Sequence, residues 1–395
     1  MNDKPLSHGM DGTLTNTDWR PLDLAEVRWL LRQYPKFSEA MHILSHSPRP
    51  FSAASVVETC DGRIFVKRHH RSVRDAAGLG EEHRFMAHLA EAGMSVPRVH
   101  TSMSGATSLE RDEWLYEVHS IPAGVDLYRD EFSWTPFHSA EHARSAGQAL
   151  AQLHLAAGSF VGPARKAQPL VGSFSIFAHQ DASEALRTYL DARPALLESV
   201  VTRNNAVQAL DVLESFHEEL VPHLAHLKPL WTHNDFHPSN LFWSGREQDS
   251  GVTAAVDFGL SDRTNAVHDL AIAIERSIVD WLAMPVGSDG EVPLEIHFDD
   301  LRALLEGYTA ARPMSDTERS ALAPMIALCH AEFALSEADY YLGVLNSPKK
   351  ARMADEWYLL GHARWFRSAH GRKLLDFLRR WAEEQSGRHA KAVTV

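Results

Sequence analysis

From Leu230 to the helix that begins around Asp269 the chain places three short apolar runs, each with a carboxylate or an amide at one end. The stretch reads Leu230-Trp231-Thr232-His233-Asn234-Asp235-Phe236-His237-Pro238-Ser239-Asn240-Leu241-Phe242-Trp243, then a polar interruption, then Ala254-Ala255-Val256-Asp257-Phe258-Gly259-Leu260, and finally His268-Asp269-Leu270-Ala271. A fold that buries the apolar runs together gathers their polar ends into one place. The rest of the chain has to serve that site.

Asp235 and Asn240 stand five positions apart, close enough for one loop to turn the first toward a substrate hydroxyl and the second toward a metal ion. Asp257, leaving a β-rich run, supplies a second oxygen ligand suited to a hard cation. Phosphoryl transfer needs this kind of equipment, an oriented nucleophile and charge stabilisation more than covalent work. A zinc site is the alternative reading, because His233, Asp235 and His237 alternate as ligands from a strand edge do. Asn240 and Asp257 fit a nucleotide-Mg2+ site better.

Only the combination of these pieces is specific. His233-x-Asp235 with Asn240, followed by Asp257-Phe258-Gly259, resembles the H-x-D-x-x-x-x-N loop and D-F-G motif of the protein-kinase-like superfamily. His-Asn-Asp is closer to the His-Gly-Asp of its small-molecule branch, the aminoglycoside phosphotransferase and choline kinase-like enzymes, than to His-Arg-Asp. The resemblance implies a two-lobed α+β fold, with a small antiparallel sheet and one helix, then a mostly helical lobe. It also implies ATP as co-substrate, Mg2+ on Asn240 and Asp257, and Asp235 as the group that takes the proton of a small-molecule hydroxyl.

The bulk properties agree with that expectation. At 395 residues the chain exceeds what one core usually supports. An apolar fraction of 44% is ordinary for a globular protein. A formal charge of -13 disfavours nucleic acid as a partner and leaves room for a cationic or neutral small molecule. Cys60 and Cys329 are the only cysteines, so a reducing cytoplasm is the expected compartment. No secretory signal and no apolar run long enough for a bilayer are visible, so no membrane association is expected. His138 to His142 matches an H-x-x-E-H zinc pattern, but it sits where a helix is only starting and shows no third ligand.

Taken in order, residues 1 to about 20 are polar and expected to be loosely attached. Leu24, Val27, Leu30 and Leu31 predict a helix from Pro21 that packs on the first lobe. Ser55 to Cys60, Asp61-Gly62 and Arg63 to Arg68 predict a hairpin. Its period of two puts Phe65 and Lys67 on one face, as a platform for a nucleotide base, and Ile64 and Val66 on the other. Glu82 lies on the apolar stripe of the next helix, so it calls for a cation, with Glu81 as the competing choice. Lys67 and Glu82 resemble the Lys–Glu pair with which kinases hold the nucleotide phosphates. The family's glycine-rich loop is replaced by Pro48-Arg49-Pro50-Phe51-Ser52-Ala53-Ala54-Ser55. Val96 to His100 and Glu113 to His119 are expected to finish the sheet. By resemblance, the backbone of Glu117, Val118 and His119 is the hinge that meets the adenine edge, with Ser120 to Gly124 marking a break.

From Ser139 the chain turns helical, and helices are expected over 182–201 and 206–227, parted by Asn204-Asn205. Such an insertion resembles choline kinase-like and type II homoserine kinase-like enzymes, where it helps to shape the acceptor pocket. Only a dozen positions separate Asp257 from the helix at Leu270, too few for a protein-kinase activation segment. Asp269 is either an N-cap or a tie back to the catalytic loop. Over 301–311, 316–341 and 355–382 the chain is helical. Glu332, Glu337, Asp339, Tyr340, Tyr341 and Trp357 there are either pocket lining or a solvated face with an aromatic edge. The expected organisation is an N-terminal extension and helix over 1–45, a nucleotide-binding lobe over 46–120 and a helical lobe over 121–395. The expected function is phosphoryl transfer to a small-molecule hydroxyl on an aminoglycoside, choline or homoserine-like amino alcohol; a catalytically silent nucleotide-binding module is the alternative.

Overall fold

A computed structural model describes residues 17–37, 40–285 and 290–393. Most of the polar N-terminal segment lies outside the described residues. Thr17 to Arg20, however, are docked, contrary to the loose attachment expected there. Trp19 stacks on His70 at 5.2 Å, and Asp18 accepts from Tyr340 at 3.0 Å and pairs with Lys350.

The small lobe starts with α1 (Leu24–Leu31), which begins where Asp23 accepts from Glu26 N at 2.8 Å. Three strands follow, β1 (Ala40–His46), β2 (Ala53–Thr59) and β3 (Gly62–His70). Gly62, at φ +116°, makes the turn that the Asp-Gly pair predicts. The alternation along β3 is as expected: Ile64 and Val66 bury against Val27, Leu30 and Leu31 of α1, which leaves Phe65 and Lys67 on the opposite, inner face. Next come α2 (Ala76–Glu91), β4 (Leu109–Arg111) and β5 (Trp114–Ser120), completing an antiparallel sheet in the order β1-β2-β3-β5-β4. Val96 to His100 forms no strand of its own and runs along β5 through a single bridge, Val99 to His119.

The large lobe contains α3 (Ala140–Ala157), α4 (Ala182–Asp191), α5 (Pro194–Glu198), α6 (Val200–Leu224), β6 (Pro229–Thr232), β7 (Leu241–Trp243), β8 (Val252–Ala255), β9 (Asp262–Asn265) and α7 (Ala266–Ile278). It ends with α8 (Phe298–Ala311), α9 (Asp316–Leu328), α10 (Ala331–Asp339), α11 (Pro348–Arg352), α12 (Gly361–Arg367) and α13 (Ala369–Val393). Asn204 and Asn205 do not separate two helices: they lie inside α6, where Asn205 donates to Asp355 at 3.2 Å. The break falls earlier, at Arg193-Pro194 and Ser199, because proline suits a first helical turn and Ser199 caps the next by accepting from Thr202 N. The fold is therefore α+β in two lobes. Within the described residues no helix is long and apolar enough to cross a membrane.

Two short ladders present the central stretch. β6 pairs with β9 and β7 with β8, so the loop 233–240 and the turn at Asp257 emerge side by side. Beneath them α3 and α8 touch through Gly147 and Gly307, where an added Cβ would run into the carbonyls of Leu304 and Arg144. Gly307→Ala is therefore expected to lower the unfolding free energy by about 2 kcal/mol through overpacking. Gly387→Ala, where a Cβ meets nothing within 4 Å, should not destabilise. Urea denaturation of the two variants checks the contrast.

Candidate active site

Asp269 anchors the loop. Its Oδ2 accepts from His233 N at 2.9 Å and from His154 Nε2 at 3.0 Å, and its Oδ1 accepts from Asn234 N at 2.8 Å. It is fully buried. Burial opposes its charge, but the hydrogen bond and charge of His154, with the help of His233, outweigh that and hold the carboxyl below its ordinary range. Of the two readings of Asp269, the structure has the tie, since Asn265 is the residue that caps α7. His154, on the apolar stripe of α3, does more than fill core: it also meets Tyr308 Oη at 2.7 Å.

The loop then turns at Asn234, whose φ of +59° belongs to the left-handed region that Gly and Asn enter most readily. Asn240 Nδ2 donates to the backbone oxygen of Asp235 and to its Oδ2, both at 2.9 Å. This fixes the Asp235 carboxylate and turns the Asn240 amide nitrogen toward it, so that the amide oxygen could hold a metal ion. His233 Nε2 meets Val256 O at 3.0 Å, and Val256 N donates to Asn240 O at 2.9 Å. These bonds bring Asp257 beside the loop. Asp257 sits at φ +61° with Lys67 Nζ 2.9 Å from its Oδ1. Lys67, Asp235, Asn240 and Asp257 all line one cleft of about 610 Å³. Burial works against the Lys67 charge, but Asp257, Glu117 and Glu82 overcome it and raise the ammonium above its usual range.

The zinc reading of the loop fails on His233, because both its ring nitrogens are committed, Nε2 to Val256 O and Nδ1 to Asp235 N at 3.2 Å. His142, of the H-x-x-E-H pattern, is likewise tied to Glu247 O at 2.9 Å. The oxygen donors of Asn240 and Asp257, by contrast, fit Mg2+.

Three expectations need correction. Glu82 does not pair with Lys67: it lies 3.6 Å from Arg165, whose guanidinium also holds Gly78 O, Gly259 O and Ser261 O and so draws α2 toward the large lobe. The backbone of Glu117, Val118 and His119 cannot serve an adenine edge. One side pairs with β3, and on the other His100 N donates to Val118 O at 2.8 Å while Ser120 N donates to Arg98 O at 2.9 Å. The Glu117 side chain is buried among His69, His83 and His119, and backbone free of this pairing begins only after Ser120. Phe65 remains on the inner face beside His119 but does not line the cleft.

The late acidic and aromatic residues also divide. Glu337 and Tyr341 line the cleft. Glu332 is buried and spent on Ser173, Ser175 and the Ile176 backbone, Asp339 faces Arg193, and Tyr340 reaches Asp18. Trp357 does not line the cleft. The face is thus not solvated, and the π-type turns of Tyr340–Val344 bury both Tyr340 and Tyr341.

Arg276 and Arg74 carry no sequence signal, and His237 is flagged only by the zinc reading. Arg276, buried on α7, pairs directly with the Asp235 carboxylate and lies over the Phe333 ring at 4.7 Å. Arg74 holds Gly259 O at 2.8 Å and Pro169 O at 2.8 Å. His237 Nε2 stands 3.3 Å from Asp235 Oδ1, and burial together with Arg49 brings its pKa down to about 3, so it is neutral. In place of glycines, the loop after β1 is pinned by Phe51 against Tyr340 at 5.4 Å, and Arg49 faces the cleft.

Replacing Asp269 by Asn keeps the shape but sets an amide against two backbone donors. A loss of about 3 kcal/mol is expected at neutral pH. The folded-state pKa is depressed below 3.8, so this contribution is present above that value and fades as pH falls beneath it. Denaturant unfolding of the pair of proteins at several pH values measures both.

Residues 48–304 match the model of a family described as the phosphotransferase enzyme family. A homoserine kinase of Rhodopseudomonas palustris is 27% identical over 247 residues, covering 61% of this chain. The match spans 62% of that relative's own length. A homoserine kinase of Phenylobacterium zucineum is 30% identical over 275 residues, covering 69% of this chain and 71% of the relative. Among solved structures, the amicoumacin kinase hAmiN in complex with AMP-PNP, Ca2+ and Ami aligns with a TM-score of 0.56 at 14% identity, over 87% of this chain and 93% of that one. A microcompartment-associated aminopropanol kinase aligns with the same TM-score and identity over 86% and 95%. At that identity the two structures speak for the fold. The family model covers well over half the chain, and the protein belongs to the phosphotransferase enzyme family.

Proposed function

We propose that this protein is a kinase that moves the γ-phosphoryl group of ATP to a hydroxyl on a small molecule. The observation that carries the reading is the convergence of Lys67, Asp235, Asn240 and Asp257 on one cleft. In it Asp235 orients the acceptor hydroxyl and takes its proton, held in place by Asn240 and Arg276. Lys67 and Arg49 face the nucleotide phosphates. Mg2+, carried on Asn240 and Asp257, supplies charge neutralisation at the phosphates. Residues 46–120 serve as the nucleotide lobe, and residues from 121 onward supply the catalytic loop and the acceptor pocket. The same reading makes the protein a cytoplasmic enzyme, in keeping with the free thiols of Cys60 and Cys329, with neither nucleic acid nor membrane as a partner.

The acceptor side favours a compact amino alcohol that also bears an anionic group, the chemistry of homoserine. Arg276 and Lys350, besides their pairs with Asp235 and Asp18, bring cations to the cleft wall for a carboxylate, Glu337 offers a carboxylate to an ammonium, and Trp134, Phe333 and Tyr341 enclose the space between. The homoserine kinase relatives point the same way.

Asp235→Asn should reduce kcat by about 10²- to 10⁴-fold, as loss of a general base does, while ATP still binds in calorimetry. Unimpaired phosphorylation in that variant would contradict the assignment. Burial pushes Glu337 up to about 7, so it becomes a carboxylate only as pH rises through that value. With an amine-bearing acceptor, kcat/KM should climb across this range in the wild type, and the climb should vanish in Glu337→Gln.

A further inference from the structure

The inner face of the small lobe holds a second cluster that phosphoryl transfer does not use. Glu117 on β5 is fully buried, and three imidazoles that are each less than a tenth exposed close around it. His83 Nε2, from α2, lies 2.6 Å from Glu117 Oε2. His119 Nε2, two residues along β5, lies 3.0 Å from the same oxygen. His69 Nε2, on β3, takes the other oxygen at 3.0 Å.

This is not an ordinary hydrogen-bonded core. His119 Nε2 is buried and has no hydrogen-bond partner, although it stands so close to the carboxylate. It faces the carboxylate at ion-pair distance without the alignment of a hydrogen bond. The donor atoms of His83, Glu117 and His119 all lie within 4.8 Å of one another, and they are the sole such group of three metal-ligating side chains among the described residues. Tetrahedral zinc with bonds of about 2.0–2.1 Å sets its ligand atoms roughly 3.3 Å apart, so the two contacts to the Glu117 oxygen, at 2.6 and 3.0 Å, need to open by roughly 0.3–0.7 Å. The surroundings suit a metal too. His83 Nδ1 meets Thr107 Oγ1 at 2.8 Å, the kind of outer contact that fixes a ligating imidazole's tautomer, and His69 restrains the second carboxylate oxygen. His69 also lines the cleft, which gives an ion a way in.

We propose that His83, Glu117 and His119 form a binding site for a transition-metal dication of the zinc class, inside the small lobe and separate from the Mg2+ position in the cleft. Imidazole donors select such an ion over Mg2+, which takes oxygen. Because His83 belongs to α2 and the other two ligands to β5, the ion clamps the helix to the sheet and fixes the height of Glu82, the neighbour of His83.

The test uses the full-length protein, stripped with a chelator and titrated with Co2+ alone under visible absorption, then with Zn2+ while metal content and Tm are measured. The expected result is one equivalent of Co2+ with the intense spectrum of a four-coordinate site, displacement by Zn2+, and a Tm several degrees higher when loaded. Asp257→Asn should bind as the wild type does, whereas His119→Gln and Glu117→Gln should bind at least tenfold more weakly. Uptake well below one equivalent by folded wild-type protein would overturn the proposal whatever the variants do. So would a weak six-coordinate spectrum that Asp257→Asn abolishes, because the ion would then sit in the cleft.

Discussion

One buried carboxylate holds the 233–240 loop in shape. Asp269 receives two consecutive backbone N–H groups, from His233 and Asn234, and one imidazole from α3. A turn with a left-handed residue at its centre has few internal hydrogen bonds of its own, so its donors need an outside acceptor in a place water does not reach. Asp269 is that acceptor, and it sits on a helix rather than a loop. The position of Asp235 is thereby referred to the frame of the large lobe, through α7 on one side and α3 on the other.

From that anchor the cleft assembles in a definite order. The tied loop carries Asn240, the bond from Val256 N to Asn240 O carries Asp257, and Asp257 reaches across to Lys67 of the other lobe. Charge is matched at each step: carboxylates face Lys67 and Arg276, and Arg74 and Arg165 converge on the carbonyl of Gly259. Guanidinium groups suit this work because a planar fork can satisfy several carbonyls at once. The two lobes are thus joined by arginine and lysine contacts as well as by apolar packing.

Much of this was legible in the sequence, for identifiable reasons. The hairpin followed from Asp61-Gly62 and a period of two, which depends on backbone geometry alone. That Asp235, Asn240 and Asp257 meet at one cleft was readable because each stands at the end of an apolar run that the fold buries. Arg74, Arg165 and Arg276 were not, since a lone arginine in a loop or on a helix carries no periodicity and its partners are distant in the chain, as Gly259 is from Arg74. The same limit misassigned Glu82, whose partner is Arg165 and not the nearer Lys67. The backbone of Glu117 to His119 was misread because a hinge and an interior strand have the same composition. What differs is whether a neighbouring segment, here Arg98 to His100, occupies the free edge.

The docking of Asp18 has a consequence for how the molecule breathes. Its carboxylate is held by Tyr340 and Lys350 of the helical lobe, while Trp19, next in the chain, stacks on His70 of the sheet. A single peptide link therefore straps the two halves together at the mouth of the cleft. Any rocking that widens the mouth has to strip one of these two holds, so the leading segment sets a threshold for entry that is independent of the chemistry inside.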